Sequence, residues 1–332
     1  MKSLAIIGAG SWGTALALIL APRFERIRLW VYETDLADRM IQSRENDVYL
    51  PGFQLPTNVE ILNSLFNTVE GAPIVLSAIP SHFVRSVYRQ MLPELHEETM
   101  FVSATKGIEN ETSKRPSEIV AEVLSVRFSP RVGVLSGPSF AREVASLNPT
   151  AIVIASDDSE LTRAIQASFS GPSLRLYTSR DPVGVEVGGS TKNIVAIGAG
   201  VVHGLHLGHN SMAALITRGL AEITRLAVAL GGQATTLSGL AGLGDLVLTC
   251  TGDLSRNRSV GIELARGRNL AEIVSSMQMI AEGVKTTAAT WELARRLGVE
   301  MPITEQMHEM LYEGLPPREA VRCLMERSLR SE

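Results

Sequence analysis

The sequence predicts an α/β fold: a doubly wound parallel sheet in the first half, followed by a domain built from helices alone. Three observations carry that prediction. Short β-branched apolar runs alternate with amphipathic stretches as far as Asp181-Pro182. A glycine-rich turn, GAGSWG at residues 8–13, stands between the first such run and the first amphipathic stretch. Beyond Pro182 the pattern shifts to helical spacing, and no convincing strand follows.

Taken in order, strands are expected at residues 4–7, 27–32, 74–78, 100–103, 131–135, 151–155 and 174–177. Most are continuous Ile, Val and Leu runs rather than alternations, as in strands covered on both faces. Helices are expected between them at 12–20, 81–92, 117–126 and 161–169, the second opening on Ser81 as its N-cap. Strand, helix, strand in this rhythm implies parallel strands joined by right-handed crossovers. The second half predicts helices at 187–205, 211–230, 259–266, 282–297, 304–312 and 317–327. The last is entered through Pro316-Pro317, which suits a helix start. The domains are therefore expected at residues 1–184 and 185–332.

Composition agrees and narrows the function. A chain of 332 residues suggests two domains at roughly 150 residues each. Hydrophobic residues are 45% and charged residues 20%, enough for a sizeable core and unlike a disordered chain. The 31 basic and 35 acidic residues leave a net charge of −4, without the basic excess of a nucleic-acid binder. Cys250 and Cys323 cannot form a disulfide framework, so a reduced, cytoplasmic setting is expected. Lys2 and the apolar residues 4–21 resemble a signal peptide or span, but Gly8, Gly10, Ser11, Gly13 and Thr14 interrupt the run. No stable membrane insertion is expected.

The glycine-rich turn has a specific physical reading. Gly8 permits the tight turn, Gly10 lets the backbone approach a pyrophosphate, and Gly13 allows close helix–sheet packing. The following helix directs its N-terminus at the anion. The first domain is thus expected to be of Rossmann type and to bind a dinucleotide; the plain alternative is a flexible glycine turn. Glu33 lies twenty positions after Gly13, where an acidic group accepts hydrogen bonds from ribose hydroxyls. Its plain alternative is a solvated loop residue. No Lys or Arg occurs from residue 29 to 37 to pair with a 2′-phosphate.

Two lysines stand in apolar surroundings. Lys106 follows the fourth expected strand at the edge where doubly wound folds bind ligands. Lys192 lies near the start of a long, almost uncharged helix. Either a lysine there snorkels to the surface or it works chemically, since lysine is seldom buried unpaired. A desolvated lysine near a second cation exchanges a proton near neutral pH. Asn193 beside it orients a substrate or caps the helix. Asp245 is a lone carboxylate in the run GLAGLGDLVLTCT, residues 239–251. Its cation must come from elsewhere, with Lys192 and Lys106 the candidates. Ser255, Arg256, Asn257 and Arg258 then set cationic and polar donors side by side, as a cluster of anionic oxygens requires. The alternative there is a surface loop with solvated arginines. His203, His206 and His209 are interrupted by Gly204 and Gly208, so no metal site is expected. Cys250 reads as a small buried hydrophobe, and the methionines from Met301 to Met325 as core fillers.

These segments together resemble one family, the bacterial NAD(P)-dependent glycerol-3-phosphate dehydrogenases. The resemblance is carried by GAGSWGT (8–14), ATKG (104–107), SGPSFA (136–141), GSTKN (189–193), AGLGDLVLTC (241–250), SRNR (255–258) and Glu282-Gly283. They span nearly the whole chain in the family's order. The resemblance implies a homodimer that interconverts dihydroxyacetone phosphate and sn-glycerol 3-phosphate for glycerophospholipid synthesis. It implies Lys192 as proton acceptor, with Lys106, Gly137, Ser139, Asp245, Ser255, Arg256 and Asn257 around the phosphorylated substrate. It implies Ser11, Trp12, Tyr49, Lys106, Ala141, Arg256, Ile280 and Glu282 around NAD or NADP. Many members carry His or Arg at the position of Tyr32, where a basic group assists a 2′-phosphate. With Tyr32 and then Glu33, this chain is expected to use both cofactors, NADH at least as well as NADPH. Two other readings fit the residues alone: a two-domain hydroxy-acid dehydrogenase, and an NAD(P)-sensing regulator without turnover. The first needs a carboxylate site in place of a phosphate site; the second has no use for Lys192 and Asp245.

Overall fold

A computed structural model describes residues 2–277 and 281–329. The chain forms two compact units: residues 1–106 with 114–186, and residues 107–113 with 187–332.

The strands of the first unit are β1 (Ser3–Ile7), β2 (Arg26–Trp30), β3 (Glu45–Asn46), β4 (Leu50–Gln54), β5 (Val59–Leu62), β6 (Ile74–Ser77), β7 (Met100–Ser103), β8 (Arg131–Ser136), β9 (Thr150–Ala155) and β10 (Leu174–Ser179). Its helices are α1 (Ser11–Leu20), α2 (Thr34–Ser43), α3 (Leu65–Val69), α4 (Val84–Met91), α5 (Pro116–Leu124), α6 (Ala141–Ala145) and α7 (Ser159–Phe169). The main sheet runs β10-β9-β8-β7-β6-β1-β2-β5, and β3 and β4 pair separately as an antiparallel hairpin. The apolar runs are continuous because both faces are covered. Leu4, Ile6, Ile27 and Leu29 pack with Leu16, Met40, Val144 and Phe169 from α1, α2, α6 and α7. Ala5, Ile7 and Val75 face the other way, against Val69, Tyr88 and Ile119 from α3, α4 and α5.

The expected all-parallel sheet needs one correction. β8 and β9 pair antiparallel, whereas every other pair in the main sheet is parallel. A parallel return needs a crossover of about a dozen residues or more, usually a full helix. Between Ser136 and Thr150 the only helix is the five-residue α6. Ser81 is not an N-cap either. It opens a short 3₁₀ turn, Ser81–Phe83, and α4 follows without a side-chain cap.

From Pro182 onward the described residues form helices: α8 (Pro182–Gly204), α9 (Gly208–Ala229), α10 (Ala234–Leu237), α11 (Asp245–Thr251), α12 (Arg256–Ala265), α13 (Leu270–Ser275), α14 (Glu282–Leu297), α15 (Pro302–Tyr312) and α16 (Pro317–Met325). Among the described residues no strand follows β10, and no helix is long and apolar enough to cross a membrane. Met301, Met307 and Met310 fill the core as expected, but Met325 is exposed. α8 and α12 touch backbone to backbone. A Cβ on Gly200 would lie 2.0 Å from the Arg258 carbonyl oxygen, and one on Gly261 would lie 1.9 Å from that of Ile197.

One buried carboxyl joins α9 to α15. Glu222 accepts hydrogen bonds from the N–H groups of Ile303 (2.6 Å) and Thr304 (3.2 Å), at the free first turn of α15. Burial pushes its carboxyl up to about 7. The fold thus favours the protonated form, so the stability it contributes is full at low pH and is lost as pH rises to about 7. Glu222→Gln cannot ionise. Its Tm relative to the parent should therefore rise by a few degrees between about pH 5 and pH 8. An unchanged difference would show that the carboxyl stays ionised throughout.

Candidate active site

The glycine turn leaves β1 with Gly8 at φ +108°, where a Cβ would lie 2.8 Å from the Ala78 carbonyl oxygen. A Cβ on Gly13 would lie 1.9 Å from the Gly8 carbonyl oxygen, so only glycine lets α1 start this close to the turn. The N-cap of α1 is Gly10, with no side-chain cap and no acidic residue in the first turn. The first-turn N–H groups therefore meet no carboxylate or hydroxyl of the helix, and they suit a pyrophosphate. Nothing lies within 4 Å of a Cβ built on Gly10, which leaves the approach open. Ser11 and Trp12, half-buried, begin the helix.

The hairpin braces this turn from behind. Asn46, wholly buried, donates to the Ala9 carbonyl (2.7 Å) and the Thr14 hydroxyl (2.8 Å). Its own carbonyl accepts from the Tyr49 N–H at 2.9 Å. The Tyr49 hydroxyl donates to Glu33 Oε1 at 2.7 Å, and that bond pushes the phenol up to about 12. Glu33 is the exposed residue that precedes α2. Tyr32 is 75% exposed, its ring edge against Trp30.

Other expected residues follow the carboxyl ends of β7 and β8. Lys106, half-buried, comes three residues after β7. Gly137, at φ +147°, follows β8, and the Ser139 hydroxyl donates to its carbonyl at 2.9 Å. Ala141 opens α6. In the sheet, β1 stands between β6 and β2. The connections run outward in both directions from there, which makes the β1/β6 edge the switch point where such folds bind ligands.

In the second unit, Lys192 sits within α8 and is only 6% exposed. Its ammonium donates to Asp245 Oδ1 and, at 2.7 Å, to Thr249 Oγ1. The Thr249 hydroxyl in turn donates to the Asp245 carbonyl at 2.6 Å. Lys192, one of the two lysines considered for Asp245, is seated on it. Cys250 beside them is buried, and desolvation pushes its thiol up to about 12. Ser255 caps α12 by accepting from the Arg258 N–H, and Arg256 follows as an exposed first residue. Asn257 is buried, and its Oδ1 accepts from the Gly283 N–H at 2.9 Å. A Cβ on Gly283 would lie 2.7 Å from that oxygen and 2.8 Å from the Asn193 carbonyl, so glycine alone fits between them. Glu282, half-buried, starts α14.

Some expectations change. Asn193 lies in mid-helix, so it cannot cap α8. The glycine-rich run 239–251, for which no element was expected, holds a π turn at Leu240–Gly244 that leads into α11. Ile280 lies outside the described residues. Sequence reasoning missed Thr249, whose signal is its i+4 spacing from Asp245 once the segment is helical. It also missed Asn46, for which no local signal exists.

The comparisons agree along the chain. Residues 3–162 match the family described as NAD-dependent glycerol-3-phosphate dehydrogenase N-terminus, and residues 181–322 match the corresponding C-terminus. Glycerol-3-phosphate dehydrogenase [NAD(P)+] of Koribacter versatilis (strain Ellin345) is 54% identical, over 100% of this chain and 99% of the relative. The protein of the same name from Syntrophotalea carbinolica is 52% identical, over 99% of both chains. The crystal structure of glycerol-3-phosphate dehydrogenase from Coxiella burnetii superposes with a TM-score of 0.94 at 42% identity, covering 98% of this chain and 99% of that one. By these matches, which run along nearly its whole length, the chain belongs to the NAD-dependent glycerol-3-phosphate dehydrogenase family.

Proposed function

We propose that Lys192 is the proton donor and acceptor in the NAD(P)-dependent interconversion of dihydroxyacetone phosphate and sn-glycerol 3-phosphate. The observation that carries this role is the buried ammonium held between the Asp245 carboxylate and the Thr249 hydroxyl. When bound, the cofactor supplies a hydride from C4 of its nicotinamide ring. In reduction, Lys192 as ammonium gives a proton to the oxygen on C2 as that oxygen gains negative charge. In oxidation, neutral Lys192 takes the proton back. Asp245 fixes the direction of the Nζ protons and stabilises the charged state. Arg256 and Asn257, with Ser255, hold the phosphate, and binding energy gained there orients the carbonyl. Lys106, Gly137, Ser139 and Asn193 complete the substrate's surroundings.

Gly8, Gly10, Ser11, Trp12 and Gly13 hold the pyrophosphate end of the cofactor. Tyr32, Glu33 and Tyr49 meet the adenosine, and Lys106, Ala141, Arg256, Ile280 and Glu282 the remainder. The likeness in sequence along the whole chain supports extending the reading to a cytoplasmic homodimer that supplies glycerophospholipid synthesis. Oxidation of NADH or NADPH at 340 nm, with and without dihydroxyacetone phosphate, tests the reaction directly. Turnover that does not depend on the phosphorylated substrate would refute it.

Glu33 is expected to favour NADH. A carboxylate repels a 2′-phosphate and accepts from ribose hydroxyls. Glu33→Ala should raise kcat/KM for NADPH relative to NADH. If the parent already favours NADPH by about tenfold or more, equivalent to about 1.4 kcal/mol, Glu33 does not read the ribose.

A further inference from the structure

The first basic residue after β2 is Arg39, on α2. Its guanidinium folds back along the helix, and Nη1 donates to the Asp35 carbonyl (3.3 Å) in the first turn, near Glu33. A guanidinium there is the natural partner for a 2′-phosphate, because its fork matches phosphate oxygens. Asp47 on the β3–β4 hairpin already occupies that fork. Nε donates to Oδ2 at 3.0 Å and Nη2 to Oδ1 at 3.2 Å.

Asp47 is exposed, but its neighbours in the chain are anchored. Its neighbour Asn46 is wholly buried and clamped to Ala9 and Thr14, and Tyr49, two residues on, is fixed to Asn46 and to Glu33. The hairpin thus presents three side chains to the adenosine end: one braces the glycine turn, one occupies Arg39 and one holds Glu33.

We propose that Asp47 is a specificity-determining residue, which lowers NADPH affinity by keeping the Arg39 guanidinium engaged away from a 2′-phosphate. This rests on the reading that Glu33 and α2 face the adenosine ribose. Arg39 and Asp47 are each about half exposed, 47% and 50% by side chain. A dianionic phosphate competes with Asp47 for Arg39 rather than meeting a closed pair, so the device weights the choice of cofactor without excluding NADPH. Asp47 acts through Arg39 and touches no reacting atom.

The test is direct binding of NADH and NADPH, followed by reduced-nicotinamide fluorescence, for the parent, Asp47→Ala, Arg39→Ala, the double variant and Glu33→Ala. Asp47→Ala should shift the Kd ratio about tenfold toward NADPH. The double variant should match Arg39→Ala alone, since the gain needs the freed guanidinium. An unchanged ratio in Asp47→Ala would overturn the proposal. So would a gain that survives the loss of Arg39, because removal of negative charge would then suffice. The Glu33→Ala arm separates the two readings. A shift there without one in Asp47→Ala refutes only the role of Asp47. A shift in Asp47→Ala without one in Glu33→Ala refutes the role of Glu33 and leaves Arg39 facing the phosphate.

Discussion

Lys192→Ala is expected to lower kcat by about 10²–10⁴-fold while NADH still binds, because the lost step is proton transfer. The cofactor's glycine turn lies elsewhere in the chain and keeps its own hydrogen bonds. The variant also deprives Asp245, with 0% exposure, of the Lys192 ammonium. Breaking a buried pair from one side costs about 3–5 kcal/mol of stability. Loss of fold and loss of chemistry must therefore be told apart. Lys192→Ala with Asp245→Asn removes both charges and should recover much of the Tm without recovering turnover. Turnover within about threefold of the parent in the single variant would refute the assignment.

Arg256→Ala should raise KM for dihydroxyacetone phosphate by about 10- to 100-fold, from the loss of charge-assisted hydrogen bonds worth about 1.5–3 kcal/mol. Unphosphorylated dihydroxyacetone should react as slowly with the variant as with the parent, since it lacks the group that Arg256 holds. Arg256 is exposed at the start of α12, so its removal costs little stability. Equal losses for both substrates would give Arg256 a task other than phosphate binding.

What was legible in the sequence was local. Gly8 and Gly13 declare themselves because a positive φ and a 1.9 Å approach admit no other residue. Helix α14 was expected at 282–297 and occupies Glu282–Leu297, since a Gly at 298 ends a clear amphipathic run. Lys192 and Asp245 stood out as charges in apolar runs, and each raised the question of a partner. Their contact spans 53 positions, and no spacing rule reaches so far.

The β3–β4 hairpin escaped notice for a related reason. β3 is two residues long, and β4 is mostly exposed and interrupted by Pro51-Gly52. Its position is set by Asn46 reaching Ala9, 37 residues away, and not by periodicity. The antiparallel β9 was missed because a buried apolar run reads the same in either direction. Helix α11 was not among the expected helices, because glycines at 239, 242 and 244 stand just before it and break the helical pattern.

The contact between Gly200 and Gly261 makes the second unit a ruler. Lys192 is carried by α8, and Ser255, Arg256 and Asn257 by the first residues of α12. Where these helices cross, backbone meets backbone, leaving no long side chain that could repack to vary the spacing. The interval between the Lys192 amine and the start of α12 is therefore set by hard contact. On the roles proposed for them, a three-carbon phosphate that spanned this interval would present its C2 oxygen at the amine. One methylene more or less moves that oxygen by about an ångström, a displacement that can cost about 100-fold in rate. The enzyme would thus measure the length of its substrate with two hydrogen atoms on facing glycines, far from the reacting carbon.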